Sequence, residues 1–495
     1  MARKESMPKT GDKLTRREML RLSSLGVRNT PVAAERVSAE RPSGSQIPGE
    51  LNIWVTHASR RISPLPSVAW RQAQAAAGEN TIVLNPQKKM QPILGFGAAF
   101  TDAACYLFNS LGPKARTELF NKLFSPSQMN FNVCRICIGS SDCSTAIFSY
   151  DDGEIDPDLS RFSLAHDHEY VLPVLRQAKA VNPDLFLFAS PWSPPGWMKS
   201  NGSMLGGCMR HTYMASYADY FLKFLRAYER AGVPVQAATV QNEVDTDQDG
   251  TMPACAWPQD YEADFVTMHL GPLFQRAGVQ TKIWIIDHNY NLWGRAIGEL
   301  ETPDVRKYTN AIAWHGYNGE PEWMRHVQDA FPDVEMYWTE GGPDYQARDY
   351  STNWTEWGTT FSRILQSGCR SLTVWNFLSD EHGKPYVGAS TAGVGGAMIL
   401  NSGTQEISYS GMLWALCHFS RFLKRGAFRI DTQGAAKNIQ CCAFRNPDGS
   451  LVVVVTNSGD ERKCELRVGD KMAELSLVPN SITTILSPVP DEASA

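Results

Sequence analysis

From residue 93 onward the chain is built of short apolar runs, each ending abruptly in polar or aromatic residues. Eight of them stand out, at 93–102, 133–142, 185–193, 235–243, 282–289, 311–317, 335–340 and 371–377. They are rich in β-branched and aromatic residues and mostly lack polar alternation, the pattern of a parallel strand buried on both faces. Between them, 113–124, 165–181, 215–231, 258–277, 322–330 and 356–366 carry helical spacing or composition. Strand alternating with helix eight times predicts an α/β fold, a (β/α)8 TIM barrel over 91–405.

The flanks follow a different period. LNIWVTHAS (51–59) alternates apolar and polar residues, as a half-buried antiparallel strand does, and 81–85 repeats the theme. After residue 378 the helical spacing fades, and from about 408 the chain reads as strands with turns. NPDG (446–449) is a turn signal between 441–445 and the nearly all β-branched LVVVVTN (451–457). Runs at 465–468, 473–477 and 481–486 follow. This predicts an attached small all-β sandwich domain over 406–495, joined by the strands of 50–90. Residues 1–49 are polar and weakly patterned. TRREMLRL (15–22) is similar to a twin-arginine export signal, but Arg21 interrupts the apolar segment that should follow, and Arg28 and Asn29 end it. Two readings stand open: export to the periplasm or exterior, and a disordered leader on a cytoplasmic protein.

Composition narrows the function classes. Apolar content of 43% and charged content of 20% are ordinary for a globular protein. A net charge of −5 gives no basic footprint for nucleic acid. No apolar stretch is long enough for a transmembrane helix, so stable membrane insertion is not expected. The 11 cysteines are odd in number and scattered, which argues against a disulfide framework. Cys134 and Cys137 have the spacing of a redox or zinc pair. In a strand, however, their odd separation points them to opposite faces, and they read as packing residues. The 14 tryptophans suit a carbohydrate site or a large core. Oligomeric state is not legible.

Catalytic residues of such barrels sit at the carboxyl ends of the strands. Those ends offer Thr101 and Asp102; Ser140, Ser141 and Asp142; Trp192 and Ser193; Gln241, Asn242 and Glu243; Asp287 and His288; His315 and Tyr317; Glu340; and Trp375 and Asn376. A mouth with carboxylates, amide and imidazole groups and aromatic rings has what a sugar needs. A metal hydrolase would draw on Asp287, His288 and His315, but no HxH or HExxH spacing is present. A serine hydrolase would need a GxSxG elbow, which is absent. Two carboxylates, Glu243 and Glu340, flanking a glycosidic bond fit best; seen singly, each could equally be a surface glutamate at a strand end.

The strings GFGAAFTDA (95–103), RICIGSSDCS (135–144), ASPWSPPGWMKSNG (189–202), VQNE (240–243), IAWHGY (312–317), WTEGG (338–342) and HFSRF (418–422) occur in order from about residue 50 to the C-terminus. Together they resemble glycoside hydrolase family 30, the glucosylceramidase-like family. The resemblance implies a barrel with a β-sandwich partner, a retaining mechanism, a carbohydrate or glycoside substrate, and no metal or organic cofactor. By position, Glu243 is similar to the acid/base and Glu340 to the nucleophile. The resemblance also gives Asn242 a bond to the sugar 2-hydroxyl, places Asp102 and Trp192 in the subsite of the cleaved sugar, and makes His315, Tyr317 and Trp375 its wall. Asp142 is a further candidate. Trp192 and Trp375 as core aromatics, and Asp142 and His315 as purely structural residues, are the competing readings.

Three departures stand out. Val244 replaces the proline usual after the acid/base. The acidic stretch DTDQDG (245–250) follows it, with the capacity to raise the pKa of Glu243 if it folds nearby. The Gly-rich segment 381–399 cannot be aligned. The expected substrate is a β-linked D-glucoside, as a β-glucosidase, glucosylceramidase-like enzyme or β-1,6-glucanase would take. β-Xylosidase action by the same mechanism, or a catalytically weak sugar-binding protein on this scaffold, is the alternative.

Overall fold

The computed structural model describes residues 49–73, 77–389, 395–434 and 437–488, so the leader at 1–48 and its export motif lie outside the described residues. Eight parallel strands close into a barrel: β1 (Gly95–Phe100), β2 (Val133–Ile138), β3 (Phe186–Pro191), β4 (Ala237–Thr239), β5 (Lys282–Asn289), β6 (Ala311–His315), β7 (Glu335–Glu340) and β8 (Cys369–Val374), with β8 pairing back to β1. Nearly every residue of these strands is buried, which is why the sequence shows continuous apolar runs rather than alternation. Close strand approach explains GFG: a Cβ on Gly97 would lie 2.2 Å from the carbonyl oxygen of Val133 on β2. Cys134 belongs to the large core outside β2, and Cys137 to a small cluster with Trp192 and Trp375, so the two cysteines do face opposite ways.

The helices depart from expectation in instructive places. The 165–181 stretch is two helices, Ala165–Glu169 and Val171–Val181, broken at Tyr170, whose hydroxyl is bound to Asp102. Helical residues at 258–277 pass through a π-helical segment, Phe265–Leu270. Within the region read as strands and turns lies a ten-residue helix, Gly411–Ser420, capped by Ser410. All ten residues are buried, so no polar face marks its period.

Ten strands form one continuous hydrogen-bonded order that brings the first and last described strands together. Glu50–His57 pairs with Ser481–Ser487, and Thr81–Pro92 pairs with Phe428–Gln433 and Arg462–Val468. Leu51, Ile82, Val453, Val455, Leu475 and Ile485 close a second core. Val452, Val454 and Ile482 join the main core instead, so the strand Leu451–Asn457 is apolar from Leu451 to Val455 because it faces sandwich on one side and barrel on the other. At this junction His418 lies between Thr56 and Thr484, 2.8 Å from each hydroxyl.

Candidate active site

Strands β2 to β7 and the turn after β4 carry one connected polar network toward their carboxyl ends, centred on Arg135. Its guanidinium is fully buried at the middle of β2 and points into the barrel. It donates to Ser190 Oγ at 3.0 Å, to Asn242 Oδ1 at 2.8 Å, to Asp287 Oδ2 at 2.6 Å, and to Glu340 Oε2. Its guanidinium carbon also lies 4.5 Å from the ring centre of Trp192. A buried cation needs this many partners to offset its lost hydration.

Glu340 ends β7, where the ladder delivers its side chain to the rim. Arg135 holds one oxygen and the Tyr317 hydroxyl donates to the other at 3.1 Å. The two glycines of WTEGG have a steric reason: a Cβ on Gly342 would lie 2.3 Å from the Trp375 carbonyl oxygen. Glu243 is placed differently. Only Ala237–Thr239 is regular strand; beyond it Asn242 N–H donates to Pro191 O at 2.8 Å and Glu243 N–H to Asp287 O at 3.0 Å. Glu243 has φ of 55°, and Ile286 and Asp287 have 75° and 44°. Non-glycine residues in the left-handed region cost on the order of 1–3 kcal/mol each and cluster at functional sites.

His315 stands between the two glutamates. Its Nδ1 is 3.4 Å from Glu243 Oε1, and its Nε2 is 3.0 Å from Asp287 Oδ1 and 3.8 Å from Glu340 Oε2. Burial alone pushes an imidazole down, but Glu340, Asp287 and Glu243 outweigh it and lift His315 to about 9. Asp287 is held far below the usual carboxylate range: against its burial stand Arg135, His315 and Thr339.

The remaining predicted residues fall around this centre. Asn242 gives its oxygen to Arg135, so the donor end of its amide is the end that can meet a sugar oxygen. Trp192 and Trp375 stack with ring centres 4.9 Å apart, and Tyr386 packs on the same cluster. Both tryptophans are buried, Trp192 at 1% exposure, so much of their surface is used inside the protein. Asp142 is buried on the loop after β2, and its carbonyl accepts Val387 N–H at 2.8 Å, tying segment 381–389 to the rim. Asp102 accepts four hydrogen bonds, from Thr145 N–H (2.7 Å), Thr145 Oγ1 (2.8 Å), Tyr170 Oη (2.8 Å) and His166 Nε2 (2.7 Å). That is the full capacity of a carboxylate, so a sugar hydroxyl reaches Asp102 only by displacing one of them.

Sequence reasoning passes over Arg135 and Gln248. The signal for Arg135 is a charge in the middle of a strand buried at all six positions. Gln248 lies in the acidic stretch and donates to Glu243 Oε2, while Asp245 of the same stretch pairs with His288 Nε2 at 2.5 Å.

Paired glutamates, one just beyond strand four and one ending strand seven of a closed barrel, bedded in amide, imidazole and indole groups, define a glycoside hydrolase barrel. Residues 93–423 match the Glycosyl hydrolase family 30 TIM-barrel domain and residues 426–485 the Glycosyl hydrolase family 30 beta sandwich domain. The chain belongs to glycosyl hydrolase family 30, a family of retaining enzymes. It is 33% identical over 395 residues to an endo-1,6-beta-D-glucanase of Neurospora crassa, covering 76% of this chain and 81% of that one. It is 31% identical over 427 residues to a putative glucosylceramidase 2 of Caenorhabditis elegans, covering 81% and 82%. An endo-beta1,6-glucanase of known structure superposes with a TM-score of 0.81 at 27% identity, covering 89% of this chain and all of that one.

Proposed function

We propose that Glu340 is the nucleophile and Glu243 the acid/base of a retaining hydrolase for β-linked D-glucosides, with β-1,6-glucan as its polymer. The observation that carries this reading is the unequal setting of the two carboxylates. Glu340 is gripped at both oxygens by Arg135 and Tyr317, which suits a nucleophile that must attack along one line. Glu243 is the more open of the two, with 13% of its side chain exposed against 7%, which suits a group that must exchange protons.

In the first step Glu340 attacks the anomeric carbon. The bond to the leaving oxygen breaks as Glu243 gives that oxygen its proton. Arg135 and Tyr317 release charge density as Glu340 becomes an ester, and Asn242 holds the sugar oxygen beside it. In the second step Glu243 takes a proton from water, the hydroxide attacks the same carbon, and Glu340 leaves. Two inversions return the β configuration.

The choice of glucose rests on the names of the relatives. Among the described residues no helix is long and apolar enough to cross a membrane. The test is kcat/KM on aryl β-glucoside, β-xyloside, β-fucoside and β-galactoside, followed by β-1,6- and β-1,3-glucan. The expected result is the highest value on the glucoside and cleavage of β-1,6-glucan. Loss of one hydroxymethyl contact is worth roughly 1–3 kcal/mol; a β-xyloside preferred more than tenfold would overturn the sugar while leaving the two glutamates in place.

A further inference from the structure

Two histidines converge on one oxygen of Glu243, and each is held from behind by a carboxylate. His315 turns Nδ1 toward Glu243 Oε1 at 3.4 Å, with Nε2 on Asp287 at 3.0 Å. His288 turns Nδ1 toward the same oxygen at 3.8 Å, with Nε2 on Asp245 at 2.5 Å. The three facing atoms all lie within 4.8 Å of one another. Gln248 donates to the other oxygen of Glu243. Asn289 Nδ2 lies 3.2 Å from His288 Nδ1, and a metal on that ring would displace it.

We propose that Glu243, His288 and His315 form a binding site for a borderline transition-metal cation such as Zn²⁺, and that occupation of the site inhibits the enzyme. Bonds of about 2.0–2.1 Å in a tetrahedron put neighbouring ligand atoms roughly 3.3 Å apart; the spacings of 3.4 and 3.8 Å to Glu243 are close to that, and the spacing between the two histidines, within 4.8 Å, must close to it as well. Metal-binding histidines characteristically give their second nitrogen to a carboxylate, which fixes the ring and raises its basicity. Both rings meet that condition here. The ion would replace the Nδ1 proton of His315, which passes to water, and the open mouth beside Glu243 would leave a coordination position for a water. A cation on Glu243 lowers the carboxylate's affinity for the proton it must donate, so turnover falls. Binding follows from the geometry alone; inhibition rests on the reading of Glu243 as acid/base.

The experiment titrates the full chain with Zn²⁺ by calorimetry and with Co²⁺ by visible absorption, in parallel with aryl β-glucoside hydrolysis. His288→Gln and Asp245→Asn are compared, with melting curves to show that each is folded. The expected result is one ion bound per chain at this site, a cobalt spectrum of nitrogen and oxygen ligation, and inhibition reversed by a chelator. His288→Gln should weaken both binding and inhibition tenfold or more, and Asp245→Asn by about 10- to 100-fold. No saturable binding would overturn the proposal. So would binding and inhibition unchanged in both variants, since the metal then sits elsewhere, for example at the partly exposed Cys208. Binding that His288→Gln weakens but that leaves turnover intact would uphold the site and count against Glu243 as acid/base.

Discussion

Two histidines are sealed from solvent in this protein, His315 at the barrel mouth and His418 at the junction of barrel and sandwich, and their surroundings drive them in opposite directions. His418 has only hydroxyl partners. Thr484 donates to the His418 carbonyl and so accepts from Nδ1, which in a neutral ring leaves Nε2 to accept from the Thr56 hydroxyl. That set fits one neutral tautomer. Burial, helped by Arg421, pushes His418 down to about 3. His315 has the same burial but carboxylates at both nitrogens, and rises to about 9. One region uses a histidine as a neutral strut between strands far apart in sequence; the other uses it as a fixed cation between two glutamates. The residue type does not decide the role. The charge of the partners does.

The largest expected effect breaks the mouth itself. Glu340→Ala should lose on the order of 10⁴-fold or more in kcat, because the covalent step is gone. Glu243→Ala should retain much more activity on aryl glucosides with good leaving groups, and azide should restore it to give a β-glucosyl azide. A β-azide from Glu340→Ala instead would reverse the roles.

Next in size is Arg135→Met. It leaves the buried anions Asp287 and Glu340 with His315 as their one facing cation, and breaking a buried pair in this way costs about 3–5 kcal/mol. Denaturant unfolding should show that loss, and a variant within 1 kcal/mol of the parent would remove Arg135 from the centre of the network.

The pH dependence of stability sharpens the contrast, because the two histidines act on opposite limbs. His418 is depressed in the fold, so its contribution is complete above about 6.5 and is lost as pH falls toward 3. His315 is raised, so its contribution is complete below about 6.5 and is lost as pH rises through 9. Each carries a slope of up to about 1.4 kcal/mol per pH unit. His418→Gln should flatten the acid limb alone and His315→Gln the alkaline limb alone, read by thermal unfolding across pH 3 to 10. Both variants flattening the same limb would dissolve the comparison. The smallest effect is at Gln248: Gln248→Ala removes one donor from Glu243 and should lower kcat/KM roughly tenfold, the worth of a hydrogen bond to a charged group.

Much of this contrast is invisible before folding. The barrel is legible because eight buried strands leave eight apolar runs. Two of them, Lys282–Asn289 and Glu335–Glu340, end at the residues where the chemistry begins. The helix Pro113–Phe124 is legible because proline opens it. Gly411–Ser420 is not, since a helix buried all round shows no period. Glu243, Glu340 and His315 are found at strand ends, but the use made of each is not: His315 and His418 look alike in sequence, and only the fold brings carboxylates to one and threonines to the other. Arg135 hides among apolar neighbours, and Gln248 reaches Glu243 only through a loop whose backbone turns left-handed at Gln248 and Asp249.

The most direct test of the two-glutamate reading is to trap the intermediate. A 2-deoxy-2-fluoro-β-glucoside with a good leaving group slows the second step more than the first, so the glycosyl-enzyme accumulates and its peptide can be identified by mass spectrometry. The expected result is one sugar per chain, esterified to Glu340 in the peptide that carries EMYWTE. A label on Glu243, or inactivation with no covalent adduct, would contradict the assignment.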